Sequence, residues 1–184
     1  MKMLEKPATQ FLSELSSNAP VPGGGGASAA VGAFAAALGM MVTNLTIGKK
    51  KYADYEEEVK AVRDRLEGLR DQLIDLVDGD AVAFEPLSKA YSIPKDDPER
   101  DIIMENALYE ASVVPMGIME TVLAAAKELE VLVEKGSKLA VSDVGVGILF
   151  AQAAIEGASL NVYINTKSMK DRERAAALDA KADA

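Results

Sequence analysis

The chain holds no histidine and no cysteine, so any proton transfer it performs runs through carboxylates, lysines, tyrosines or bound water. The same absence excludes disulfides, zinc fingers and thiol nucleophiles, and no metal site is expected. One carboxylate stands out by position. Apolar residues recur at Val59, Val62, Leu66, Leu69, Leu73 and Leu76, three and four apart, as a single helical stripe. The count continues onto Asp80 and Ala83 and then Leu87, so a carboxylate falls on the core face. A straight helix drifts only about 20° per heptad against this count, too little to turn Asp80 out to solvent. Asp75 and Asp78 fall off the stripe and are expected to be solvated. Burial raises a carboxyl pKa toward working pH, where it can act as a general acid/base. The plainer role for Asp80 is a structural aspartate bonded to a helix end or to a lysine.

A second stretch with chemical potential is Val21–Tyr52, "VPGGGGASAAVGAFAAALGMMVTNLTIGKKKY". A Walker phosphate loop fails here: Lys50 stands where Ser or Thr is required, and Thr43 stands where the first glycine belongs. A dinucleotide fingerprint fails on context, because only Val21 between two prolines precedes the glycines and no strand can form there. A flexible linker is the bland alternative. Yet the run is short and passes straight into a helix with Ser28 in its opening turn. Gly23, Gly24, Gly25 and Gly26 would let backbone N–H groups approach a planar or anionic ligand at the positive end of the helix dipole. These glycines and Ser28 are therefore candidate binding residues. Lys49, Lys50 and Lys51 form either a solvated helix end or a local positive patch, and Tyr52 either stacks on a flat ring or packs as a plain aromatic.

These groups need a scaffold, and composition describes it. Apolar residues are 49% of the chain but aromatics only 5%, with no tryptophan, so the core must form by close approach of slim helices. The expected fold is all-α: one domain over residues 1–184, with a core of about 5–170 and a charged tail at 167–184. A short amphipathic helix within 3–17 presents Leu4, Phe11, Leu12 and Leu15. The central Ala/Gly-rich helix runs from about Ser28 to Ile47 with Gly48 as its C-terminal cap. Its length would suit a bilayer, but its alanines and glycines, the polar Thr43, Asn44 and Thr46, and the expected lack of a second span favour a buried post.

A charged helix follows over about Ala53–Ala90, then a loop over Ser92–Asp97. Asp97 and Pro98 are expected to start the next helix as cap and first-turn residue. Pro115 should kink or split that helix near Ser112–Val114, and Gly136 should end it. Ser142 is expected to cap a last core helix, where Gly145, Gly147 and Gly157 allow tight packing and Asp143, Asn161 and Asn165 are candidate ligand contacts. Asn161 and Asn165 share one face and would bond a ligand edge or equally a neighbouring helix. The tail is read as a frayed surface helix. A net charge of −9 disfavours nucleic acid, and an N-terminus without an apolar stretch gives a cytoplasmic expectation.

Three blocks, the glycine–lysine stretch above, "LVDGDAVAF" (Leu76–Phe84) and "SDVGVGILFAQAAIEGASLNVYIN" (Ser142–Asn165), resemble the signature blocks of the formiminotransferase-cyclodeaminase C-terminal domain family in order and spacing. The resemblance implies an all-helical, cyclodeaminase-like bundle that forms a homodimer or higher homo-oligomer. It also implies a reduced folate substrate, with or without a polyglutamate tail, and no other cofactor. The family's catalytic aspartate lies in its D-A-x-A-F block, which places that role on Asp80. One or two of the lysines are then expected to hold glutamate-tail carboxylates. Cyclodeaminase activity is the first expectation, cyclohydrolase the second, and a non-catalytic helical binding module the third. The family resembled usually carries Gly-Asn before the third block, where this chain has Gly136-Ser137.

Overall fold

The computed structural model describes residues 2–184, and these form helices with no strand among them. Six α-helices follow one another: α1 (Ala8–Leu15), α2 (Gly24–Thr46), α3 (Glu56–Ala90), α4 (Arg100–Lys135), α5 (Val141–Ser168) and α6 (Arg172–Asp183). Short 3-10 turns cover Met3–Glu5, Lys50–Tyr55 and Lys138–Ala140. The all-α expectation holds.

Helix α2 is the post around which α3, α4 and α5 pack. Its buried residues are mostly Gly and Ala, and their lack of bulk lets neighbours come close. A Cβ on Gly32 would lie 2.5 Å from a Val122 methyl, and one on Gly39 2.8 Å from a Leu66 methyl. The bulk comes from outside, from Leu66 and Leu73 of α3 and Val122 and Leu129 of α4. Gly48 ends α2 with φ +74°, the left-handed conformation that favours glycine.

Helix α3 buries Val59, Val62, Leu66, Leu73 and Val77, the expected stripe with Val77 in place of Leu76. Asp75 is exposed as expected. Asp78 is instead half-buried and accepts the Met3 N–H at 3.2 Å from each oxygen, because the N-terminal turn folds back over this part of α3.

Several expected boundaries shift. Helix α2 begins at Gly24, four residues before Ser28, so the glycines form its first turn. The 3–17 segment is broken by Pro7 into a 3-10 turn and α1; Phe11 is buried there, but Leu12 is exposed. Helix α4 begins at Arg100 with Glu99 as its cap, and Asp97 makes the preceding turn by accepting the Glu99 N–H at 2.9 Å. It then runs unbroken through Pro115. Ser142 lies inside α5, whose cap is Ala140.

The tail is docked, not frayed. Asp171 caps α6 by accepting the Arg174 N–H at 3.0 Å, the Arg174 guanidinium sits 3.3 Å above the Tyr109 ring, and Ala175 is fully buried. A second segment also proves long and apolar enough to cross a membrane by length and composition: residues 138–168 pass the same test as α2, but with only 28% of the window buried against 56% for α2. The outer face of α5 is correspondingly rich in exposed apolar side chains.

Candidate functional site

Helices α2 and α3 meet where the first turn of α2 abuts Asp80. The Gly26 N–H donates to Asp80 Oδ2 at 2.9 Å, filling one of the donor positions that a helix start leaves without an internal acceptor. The anion seated at this positive helix end is thus the protein's own carboxylate. Gly25 explains the glycine run most directly: a Cβ there would lie 2.2 Å from Asp80 Oδ1 and 2.5 Å from its Cγ. Only a residue without a side chain lets α2 and the carboxyl group coexist. Burial pushes the Asp80 carboxyl above the ordinary carboxylate range, and the Gly26 N–H pulls it partly back.

Asp80 opens onto a cavity of about 200 Å³ lined also by Pro20, Val21, Gly23–Gly25, Phe84, Ala111, Pro115, Asn161, Ile164 and Asn165. Gly24 packs beside Asn161, whose amide would lie 3.4 Å from an added Cβ. A larger cavity of about 500 Å³ lies elsewhere, between α1, α2 and α3. Its walls are almost wholly apolar, and its two cations are engaged: Lys6 by Glu14, Arg70 by Asp71. Convergent polar groups, not volume, mark the smaller cavity as the candidate site.

The predicted residues divide into two groups. Gly23, Gly24, Gly25, Asp80, Asn161 and Asn165 come together around one cavity. Gly26 stands directly behind it through its bond to Asp80. Ser28 turns away: its hydroxyl donates to the Gly24 carbonyl at 2.8 Å and fills the space left by Gly157, where an added Cβ would meet it at 2.6 Å.

Lys49, Lys50, Lys51 and Tyr52 lie beyond the other end of α2. The 23 residues of that helix, at about 1.5 Å each, set them roughly 33 Å from the glycines. The Tyr52 hydroxyl accepts the Lys138 N–H at 2.9 Å, which lowers its pKa and ties the turn after α2 to the turn before α5. The Lys51 ammonium lies 5.5 Å from the Tyr52 ring centre. Asp143, in the first turn of α5, is about 27 Å along that helix from Asn161. Within one chain, Lys49–Lys51 and Asp143 are separate from the end of the bundle that holds Asp80.

Pro115 and Phe84 are cavity residues that the sequence reading did not single out. A proline in mid-helix was visible, but its partner was not. No cluster of three or more carboxylates suited to a metal ion occurs among the described residues.

Comparison with known proteins follows the same outline. The model of the formiminotransferase-cyclodeaminase family matches residues 7–184. Methenyltetrahydrofolate cyclohydrolase of Methylorubrum extorquens is 43% identical over 166 residues, covering 88% of this chain and 80% of that protein. Formimidoyltransferase-cyclodeaminase of Sus scrofa is 33% identical over 92% of this chain, which spans only 32% of that longer protein. The crystal structure of formiminotetrahydrofolate cyclodeaminase from Thermotoga maritima superimposes with a TM-score of 0.83 at 32% identity, covering 98% of this chain and 92% of that one.

Proposed function

The chain belongs to the formiminotransferase-cyclodeaminase family, and from that premise we propose that it is a folate one-carbon enzyme acting at the carbon between N5 and N10 of tetrahydrofolate. The observation that carries the reading is Asp80: a largely desolvated carboxyl, held by the Gly26 N–H, raised in pKa and open to a cavity. Such a group holds a proton more readily than a solvated carboxylate and tolerates a neighbouring cation.

In the cyclodeaminase direction, N10 attacks the amidinium carbon carried on N5 and forms a tetrahedral carbon. Asp80 takes the N10 proton and delivers it to the departing amine. The C–N bond to that amine then breaks, ammonia leaves with the bonding pair, and the positive charge stays on the methenyl bridge. One proton moves, one bond forms and one breaks.

A specific observation also favours the cyclohydrolase reading, namely the 43% identity to the M. extorquens enzyme over most of its length. Water then adds to the cationic methenyl carbon and Asp80 accepts a proton from it. The remaining hydroxyl proton passes to N5 as the C–N5 bond breaks, leaving 10-formyltetrahydrofolate. Absorbance of the methenyl chromophore separates the two. Its appearance from formimidoyltetrahydrofolate supports the cyclodeaminase, whereas its decay from methenyltetrahydrofolate faster than the spontaneous rate supports the hydrolase. A protein that does neither and binds no reduced folate is a helical binding module, and the enzyme reading is lost.

The reading includes a homodimer or higher homo-oligomer. A cavity of about 200 Å³ is smaller than the 300–1,000 Å³ typical of small-molecule sites, so it takes only the reacting part of a folate. Exposed apolar side chains cover the outer faces of α2 (Phe34, Met41, Leu45) and α5 (Leu149, Leu160, Ile164), a surface suited to a second copy. Lys49–Lys51 and Asp143 would reach a glycine-lined cavity only from such a copy. A cytoplasmic location, with tetrahydrofolate as substrate and no further cofactor, belongs to the same proposal.

A further inference from the structure

In α4 the backbone N–H that would serve the Ala111 carbonyl belongs to residue 115, and proline has none. The Asn165 side chain supplies it: Nδ2 donates to Ala111 O at 2.9 Å across the α4–α5 interface. Asn161 is held in the same way, with Nδ2 donating to Gly157 O at 2.9 Å. A carbonyl oxygen can only accept, so both amides are fixed in orientation by chemistry. Each Oδ1 is left without a hydrogen-bond partner among the described residues, yet no buried side-chain polar atom there lacks one. Both oxygens are therefore accessible, on residues that line the Asp80 cavity.

We propose that Pro115 is a positioning residue. By stripping Ala111 of its helical donor it captures the Asn165 amide, so that Asn165, beside the independently held Asn161, presents a carbonyl oxygen that selects N–H donors on the reduced pterin. This rests on the folate reading above and adds the basis of its specificity. Beside Asp80 these two oxygens add acceptors to a cavity wall whose donors are the backbone N–H groups at the start of α2. A tetrahydropterin ring carries an N–H at N8 where the fully oxidised ring carries a lone pair, so these oxygens match the first and repel the second. Once a bound ligand covers these acceptors, the wrong ligand leaves them unpaired, and the site discriminates on that basis.

The test combines a ligand-free and a ligand-bound measurement. In 15N-labelled protein, the Asn165 side-chain amide should show one slowly exchanging hydrogen. Pro115→Ala, which restores a backbone N–H at position 115, should make that exchange fast. By calorimetry with 5-formyltetrahydrofolate and with folic acid, wild type should prefer the reduced ligand. Asn165→Leu should weaken reduced-folate binding about tenfold and Pro115→Ala about two- to fivefold, with little change for folic acid and a smaller effect on kcat than on KM.

The double variant should bind no worse than Asn165→Leu alone. Additive losses, or an unchanged preference for the reduced ligand in Asn165→Leu, overturn the proposal. Fast exchange of the amide in wild type overturns it without any ligand. A slow amide in a protein that binds no reduced folate defeats the folate reading, and with it the ligand named here, while leaving the fixed amide standing.

Discussion

Gly25→Ala is the smallest change that strikes the candidate site without touching Asp80. The added Cβ would sit 2.2 Å from Asp80 Oδ1, and ordinary contact begins at 3.4 Å, so the carboxyl group must retreat by 1.2 Å (3.4 − 2.2). Its Gly26 bond, at 2.9 Å, does not survive that movement. A hydrogen bond to a charged group contributes about 1.5–3 kcal/mol, while alanine in place of glycine in a helix returns about 1 kcal/mol. The net loss is about 0.5–2 kcal/mol, which for a chain of this size lowers Tm by about 1–8 °C. Turnover should suffer more, since a displacement of about 1 Å at a reacting group can cost about a hundredfold. Methenyl absorbance and a melting curve on one preparation measure both. Gly68→Ala serves as the control, because Gly68 is exposed on α3 with nothing within 4 Å of an added Cβ; it should gain about 0.5–1 kcal/mol and keep full turnover. A Gly25→Ala protein with the control's stability and undiminished turnover would refute the contact between glycine and carboxyl as the basis of the site.

Other consequences are as direct. Asp80 has a raised pKa in the fold, so its protonated form is the one folding favours. The stability it contributes is complete below the ordinary carboxylate range and is lost as pH rises through the raised value. Asp80→Asn should therefore melt above wild type at pH 7.5, with the gap closing toward about pH 4, and should lose about a hundred- to ten-thousand-fold in turnover; a gap that ignores pH would contradict burial as the cause. Gly32→Ala drives a Cβ to 2.5 Å from Val122 and should cost about 1–3 kcal/mol by overpacking, read by urea unfolding with an unchanged m-value. Leu160→Glu, at a 67% exposed position, should leave the helix intact by circular dichroism and reduce the mass measured by light scattering if α5 meets a second copy. Lys49→Gln with Lys50→Gln and Lys51→Gln should weaken a polyglutamylated folate more than a monoglutamate, an effect that shrinks with added salt.

The part of the site legible in the sequence was the part carried by periodicity. Asp80 interrupts an apolar stripe on α3, and a carboxylate on a core face demands a partner. That partner, the Gly26 N–H, lies 54 residues away, and no local pattern shows such a pair. The glycines were visible as a block, but low helix propensity argues for a loop, and only contact with Asp80 and Asn161 accounts for their helical conformation. Propensity yields there because the alternative residue has no space.

The lysines mislead for the opposite reason. They stand in the same block as the glycines, and proximity in sequence invites a common role. Yet the intervening residues form one straight element of about 33 Å, which carries the two groups to opposite ends of the bundle.

Pro115 shows what closer reading can recover. A proline inside a long apolar helix orphans the carbonyl four residues earlier, and a buried orphan must find a donor. An asparagine on a neighbouring helix is the economical supply, and here that donor both keeps α4 continuous and sets which atom of Asn165 faces the cavity. Continuity of the helix and polarity of the site are then one constraint, so Pro115→Ala should leave the fold standing while changing what the cavity recognises.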